Sequence, residues 1–171
     1  MLIIRATEKL IKELGLNKTS LLTIEEKEQL GSWFCNLITV QRRKCLIFCH
    51  STTLYCFFVP AVTKKDLANI VNIFHHNLEL NLRYESINPT VINKLTSNYQ
   101  SVIFSKTTSR SVMGSMNDYS RMFKYYAQEG VEDSNVFAIN KKLNCAPMSA
   151  LKYSNGSREI KKLLGEELDE Q

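Results

Sequence analysis

Fourteen consecutive residues, Lys106 to Tyr119 (KTTSRSVMGSMNDY), carry two cations, several hydroxyls, a glycine, an amide and a carboxylate directly after an apolar run. No other part of the chain concentrates polar groups in this way. A lysine and an arginine beside a helix start can hold a phosphate or carboxylate, because the first turn presents free N–H groups and the positive end of the helix dipole. Arg110 can grip two oxygens together, and Lys106 supplies a mobile point charge. Ser109, Ser111 and Ser115 add donors. A structural reading competes: Ser115 and Asp118 cap a helix, Gly114 permits a tight approach, and Asn117 is solvated or bonds a nearby loop. The segment matches neither GxxxxGK[ST] nor GxGxxG, and no cofactor is expected.

Other reactive groups are scattered. Asp118 is the only carboxylate in the segment, and acid–base work needs a neighbour that shifts its pKa. His50 becomes a candidate base if its polar turn, Ser51 to Thr53, packs near Lys106 or Asp118; otherwise it is an exposed turn histidine. His75 and His76 are adjacent on a helix, about a hundred degrees apart, and do not share a metal. Cys35, Cys45, Cys49, Cys56 and Cys145 make an odd set with no CxxC pair. They read as free thiols, four of them in or beside apolar strands, and no metal site is expected. Arg5, Arg42, Arg43 and Lys44 can join Lys106 and Arg110 in a phosphate-tracking face. Trp33, Tyr55 or Tyr84 can offer stacking surfaces, although Trp33 is expected in the core. In NKKLNCAP, Asn140 to Pro147, Asn144 braces a loop through side-chain to backbone bonds or lines a cleft with Asn117.

The elements that must position these groups follow from periodicity. Leu2 to Arg5 reads as a strand, and Thr7 caps a helix from Glu8 that Gly15 ends. Thr23 and Glu26 form a capping box for a short helix stopped by Gly31. From Ser32 the apolar period changes to two. Strands at Trp33, Lys44 to Cys49 and Leu54 to Val59 make an antiparallel meander, and poor alternation at Phe57, Phe58 and Val59 means cover on both faces there. Thr63 and Asp66 open a helix with the stripe Leu67, Ile70, Val71, Phe74 and Leu78. Asn88 and Pro89 open another, and Ser101 to Phe104 is a further strand. Ser115 starts a helix to about Gln128, or Ser109 starts it earlier with Gly114 inside. Val136 to Ile139 reads as a strand, and Ser157 opens a final helix. The fold class is α+β: an antiparallel meander sheet with helices packed on one side, a single domain over residues 1–171 whose acidic tail frays from about residue 166.

Composition excludes little. The net charge of +5 comes mostly from fifteen lysines and has no run longer than Arg42, Arg43 and Lys44. It permits a nucleic-acid or acidic-protein partner without demanding one. Apolar residues at 44% can build a core without staples. No run approaches the roughly eighteen residues of a membrane span, and the N-terminus lacks a signal-peptide core. A cytoplasmic protein without a membrane partner is expected.

MLIIRATEKLIKELG, the Trp33–Asn36 strand, the Arg43–Lys44 strand start, KTTSRSVMGSMND and LNCAP resemble a bacterial and archaeal family of uncharacterised domains, DUF6933. The resemblance runs from about Met1 to Leu151 and is most specific over Arg110 to Asp118. It implies a prokaryotic or phage-related protein and no established activity, so it makes no residue catalytic. The leading expectation is noncatalytic binding of a phosphate-bearing partner, with nucleic acid favoured. Lys106 and Arg110 would anchor phosphate, Ser115 and Asn117 would position it, Asp118 would hold the loop, and Arg42, Arg43 and Lys44 would extend the contact. The alternatives are a protein-interaction or regulatory module, including a homo-oligomer, and a small metal-dependent hydrolase or nuclease using Asp118 with His50 or a distant glutamate.

Overall fold

Strand β2 (Trp33–Val40) pairs antiparallel with β3 (Arg43–His50) in a register that sets Val40 opposite Arg43, leaving a two-residue turn. Both turn residues, Gln41 and Arg42, have positive φ. The mirror-image turn that matches strand twist requires this, and glycine or asparagine usually supplies it. Here a tertiary contact holds the turn, since Gln41 Nε2 donates to the carbonyls of Ala127 and Gln128. Strand β4 (Cys56–Val59) completes the expected meander.

The computed structural model describes residues 1–19, 21, 24, 30–132 and 135–168. The capping box expected at Thr23 and Glu26 lies outside them. Strand β1 (Leu2–Ala6) lies beside β2 and pairs with it in parallel, and β5 (Val102–Lys106) pairs in parallel with the other side of β1. The sheet order β4-β3-β2-β1-β5 is therefore mixed, not a pure antiparallel meander. Parallel strands need crossovers: α1 (Glu8–Glu13) lies between β1 and β2 in the chain, and three helices separate β4 from β5.

Helices cover both faces, which corrects the one-sided arrangement. On the first face Trp33, Leu46, Phe48 and Phe57 meet Leu10 and Ile11 of α1, Phe74 and Leu78 of α3 (Ile70–Tyr84), Ile92 of α4 (Pro89–Ser97) and Ile160 of α7 (Gly156–Leu164). Phe74 lies 5.3 Å from Trp33 and 5.1 Å from Phe48, ring to ring. Helix α2 (Lys64–Ala68) carries the predicted Thr63–Asp66 capping box and is separated from α3 at Asn69. On the second face Phe34, Cys45, Ile47 and Phe58 meet α5 (Arg110–Tyr126) and α6 (Val136–Asn144). The two-sided cover explains the broken alternation at Phe57 and Phe58. These rings point to opposite faces, and Phe58 stacks on Phe123 at 4.0 Å.

The predicted strand at Val136 to Ile139 is the start of helix α6. Val136, Ile139 and Leu143 fall on one helical face, and Asn140 and Asn144 fall beside them at i,i+4. Those two amides pair with the outer edge of β4. Asn140 Oδ1 accepts from Phe58 N at 3.0 Å and its Nδ2 donates to the Phe58 carbonyl. Asn144 Oδ1 accepts from Cys56 N at 2.8 Å and its Nδ2 donates to the Cys56 carbonyl at 2.6 Å. Four helical residues rise about 6 Å, close to the roughly 6.7 Å between alternate strand residues. The helix thus presents a surrogate strand and closes an edge that would otherwise template aggregation. Asn144 braces a strand edge, not the loop before Pro147.

Glu85, at the end of α3, is buried and accepts from Ser157 Oγ at 2.8 Å. Burial raises its carboxyl above the ordinary value, opposed by the Ser157 bond and by Lys141 and Lys161. The unfolded chain therefore releases this proton first as pH rises. Stability is lost between the unfolded value and the higher folded one. Glu85→Gln is expected to be more stable than wild type at neutral pH and equal to it below about pH 4. Denaturant midpoints at both pH values check this, and a variant weaker at pH 7 would refute it.

Candidate anion site

Residues Ala6 and Lys106 are register partners, so β1 and β5 end side by side. Each is followed within a few residues by a helix start. Thr7 caps α1 by accepting from Leu10 N, and Ser109 caps α5 by accepting from Val112 N at 3.3 Å. The two helix starts thus lie at the same end of these strands, with their N–H groups toward it. The α5 helix begins at Ser109, so Ser115 and Asp118 do not cap it. Gly114 lies inside the helix, and a Cβ there would meet nothing within 4 Å. Its expected tight approach is absent.

Arg5 is 1% exposed, on the same strand end. Its Nε donates to Ser32 Oγ at 2.9 Å, one terminal nitrogen to the Ile24 carbonyl at 2.7 Å, and the other to Ser105 Oγ at 3.4 Å. All three acceptors are uncharged, and among the described residues no carboxylate pairs with it. Lys106 is half-buried and Arg110 exposed, and neither forms an ion pair among the described residues. The field of Lys106 still reaches Glu8, whose carboxyl is held below its ordinary value chiefly by Lys18 and to a lesser degree by Lys106. Residue type places Arg5 among the cations that can share a face with Lys106 and Arg110 and does not single it out. The short run LIIRA places it on an almost wholly buried strand, and that was the available signal.

The other expected contributors separate. Ser115 is buried on the inner face of α5, whereas Asn117 and Asp118 face solvent, and Asp118 pairs with Arg121. Adjacent strand residues point to opposite faces, which divides the basic hairpin. Lys44 reaches across the first face to Glu13 of α1 at 2.8 Å. Arg43 lines a cleft of about 390 Å³ with Phe123, Gly130 and Glu132 at the far end of α5. Thirteen helical residues separate Arg110 from Phe123, or about 20 Å. Arg42 is exposed in the turn beside it.

The catalytic constellations do not assemble. His50 is 1% exposed and packs edge-on against Trp33 in the first-face core. Its Nε2 lies 2.5 Å from the Leu30 carbonyl, which can only accept, so Nε2 donates and Nδ1 accepts from Thr53. Asp118 projects from α5 on the other face. The expected exposed turn histidine is thus a buried structural one. Cys35, Cys45, Cys49 and Cys56 are buried. Burial raises their thiols, Cys45 to about 12, so the reactive thiolate is scarce. Among the described residues no three metal-ligating side chains converge, and no helix is long and apolar enough to cross a membrane.

A family model described as "Domain of unknown function (DUF6933)" matches residues 3–159, from β1 into the first turn of α7. The match takes in the whole sheet, Arg5 and the β5–α5 junction. The chain belongs to this family. Neither a curated protein nor a solved structure matches it.

Proposed function

We propose that this DUF6933 chain binds a phosphate-bearing partner without converting it, with nucleic acid as the partner class, where β1 and β5 hand over to α1 and α5. The observation that carries the reading is Arg5, a buried guanidinium held by three uncharged oxygens at the mouth of two helix starts. Burying a charge costs several kcal/mol unless an opposite charge repays it. A phosphate at the sheet end supplies that charge, and the ends of parallel strands beside helix N-termini are where α/β sheets receive anionic ligands. Lys106, the register partner of Ala6, lies on the first-face side of this strand end, and Arg5, one residue before Ala6, on the second-face side, so with Arg110 at the start of α5 they approach a phosphate beyond the strand tips from both sides. Arg42 and Arg43 lie about 20 Å along α5. That is beyond one phosphate but within reach of a polyanion, which favours nucleic acid over a small anion.

Binding to short single-stranded and duplex DNA and RNA at about 50 and 200 mM salt tests the reading. Affinity is expected to fall with salt. Lys106→Ala/Arg110→Ala is expected to weaken binding and to reduce the salt slope by about one unit per lost contact, with the unfolding midpoint unchanged. Equal affinity at both salt concentrations, or an unaffected double variant, would refute it.

A further inference from the structure

Helix α6 lies between α3 and α5, and its outer face carries Lys141 and Lys142 side by side. Each lysine is laid over a tyrosine from a different neighbour. Lys141 Nζ is 5.8 Å from the ring centre of Tyr84 on α3, and Lys142 Nζ is 4.3 Å from that of Tyr126 on α5. Tyr125 continues the row edge-on to Tyr126 at 5.5 Å, and Phe137 of α6 stacks on Tyr84 at 6.2 Å. The result is a strip across three helices in which two ammonium groups at the centre are flanked by rings on either side. Helix spacings of 8–10 Å make it roughly 16–20 Å wide.

Two features distinguish the strip from ordinary surface. Tyr84 is 47% exposed and Tyr125 67% exposed, so both rings reach solvent, Tyr84 beside Lys141 and Phe137 and Tyr125 beside Tyr126. Lys141 and Lys142 are both exposed and form no ion pair among the described residues. A purely structural role would use the cation–ring contacts to pin α6 between its neighbours, weakly at each exposed pair. That role does not require Tyr125, which touches neither lysine in the row and is the most open of its rings.

We infer that this strip is a stacking platform for single-stranded nucleic acid, with unpaired bases laid on Tyr84 and Tyr125 and the backbone following Lys141 and Lys142. Charge complementarity selects a polyanion, and exposed aromatic rings select one whose bases are unpaired, because duplex bases offer no face to stack on. Arg43 lies at the same end of α5 as Tyr125, on the same face of the sheet. The inference rests on the nucleic-acid reading above and adds the form of the partner and a second contact region.

Fluorescence anisotropy with a labelled oligothymidylate tests it, using the full chain and four variants. These are Tyr84→Ala/Tyr125→Ala, Tyr84→Phe/Tyr125→Phe, Lys141→Gln/Lys142→Gln and Lys106→Ala/Arg110→Ala. The alanine pair is expected to bind at least about tenfold more weakly, since one stacked base is worth roughly 1–3 kcal/mol. The phenylalanine pair should stay within about twofold, because stacking needs the ring and not the hydroxyl. The glutamine pair should lower the salt slope. A duplex of the same length should bind more weakly. If the alanine pair binds as wild type while Lys106→Ala/Arg110→Ala does not, the platform is refuted and the phosphate reading stands. If the alanine pair alone loses binding, the platform stands and the β5–α5 site is refuted. Absence of binding by wild type refutes both. Equal losses in the phenylalanine and alanine pairs overturn the inference.

Discussion

Asn144→Ala is expected to lower the unfolding free energy by about 2–5 kcal/mol. The side chain is fully buried and serves both the N–H and the C=O of Cys56. Truncation orphans two backbone groups that water cannot easily reach, each at about 1–3 kcal/mol. It also removes the donation to the Asn140 carbonyl at 2.9 Å, which ties the two amides together. Asn144→Asp is the sharper control. It keeps an acceptor for Cys56 N, faces the Cys56 carbonyl with a second acceptor, and buries a charge. It should be at least as damaging as alanine at neutral pH and recover in acid as the carboxyl protonates. Urea unfolding of the three proteins checks this. A loss under about 1 kcal/mol for Asn144→Ala would mean that β4 does not need its surrogate strand. Space is tight around the amide as well: a Cβ on Gly156 would lie 2.7 Å from Asn144 Oδ1 and 3.0 Å from Tyr55 Cα. The start of α7 is therefore locked against the same edge.

Arg5→Met is expected to leave the fold intact at a cost of about 1–3 kcal/mol in stability, the range for buried acceptors left without a donor, and to weaken oligonucleotide binding by at least tenfold. Methionine fills much of the same volume and removes a charge whose desolvation no carboxylate among the described residues offsets. Replacing buried charges by apolar residues of similar size is often neutral or stabilising. What it loses is three hydrogen bonds to neutral oxygens, the longest at 3.4 Å. The two outcomes separate the roles of the residue. Lost binding at no more than that cost in stability assigns Arg5 to the ligand. A loss of several kcal/mol with binding retained would make it a structural clamp joining β1, β5 and Ser32, and the phosphate reading would lose its main support.

Legibility in the sequence followed the range of the interaction. The meander was readable because period-two alternation is local, although the Gln41–Arg42 turn itself carries no glycine or asparagine signal, and so were the Thr63–Asp66 box, the Asn88–Pro89 helix start and the Thr7 cap. The start of α5 was ambiguous because both Ser109 and Ser115 are acceptable caps. The choice was decided by which start lets Val112 join Met116, Tyr119 and Phe123 on the second face. Val136 to Ile139 misled because four apolar-rich residues fit either period. Only the continuation through Asn140, Leu143 and Asn144 fixes the helical one.

The sequence by itself determined the DUF6933 membership, the mixed α+β content, the buried thiols and aromatic core, and the concentration of cations around Lys106 and Arg110. Those properties depend on residue type and near neighbours. Tertiary structure alone decided that β1 and β5 join in parallel, because crossover pairing leaves no mark in the spacing of the strands it joins. It also decided that Arg5 is buried beside Ser105, that Lys44 and Arg43 point to opposite faces, that His50 is inside, and that two lysines of α6 meet tyrosines from two other helices. Each of these joins residues from separate elements, and their relative placement is set by how the helices cover the two faces of the sheet.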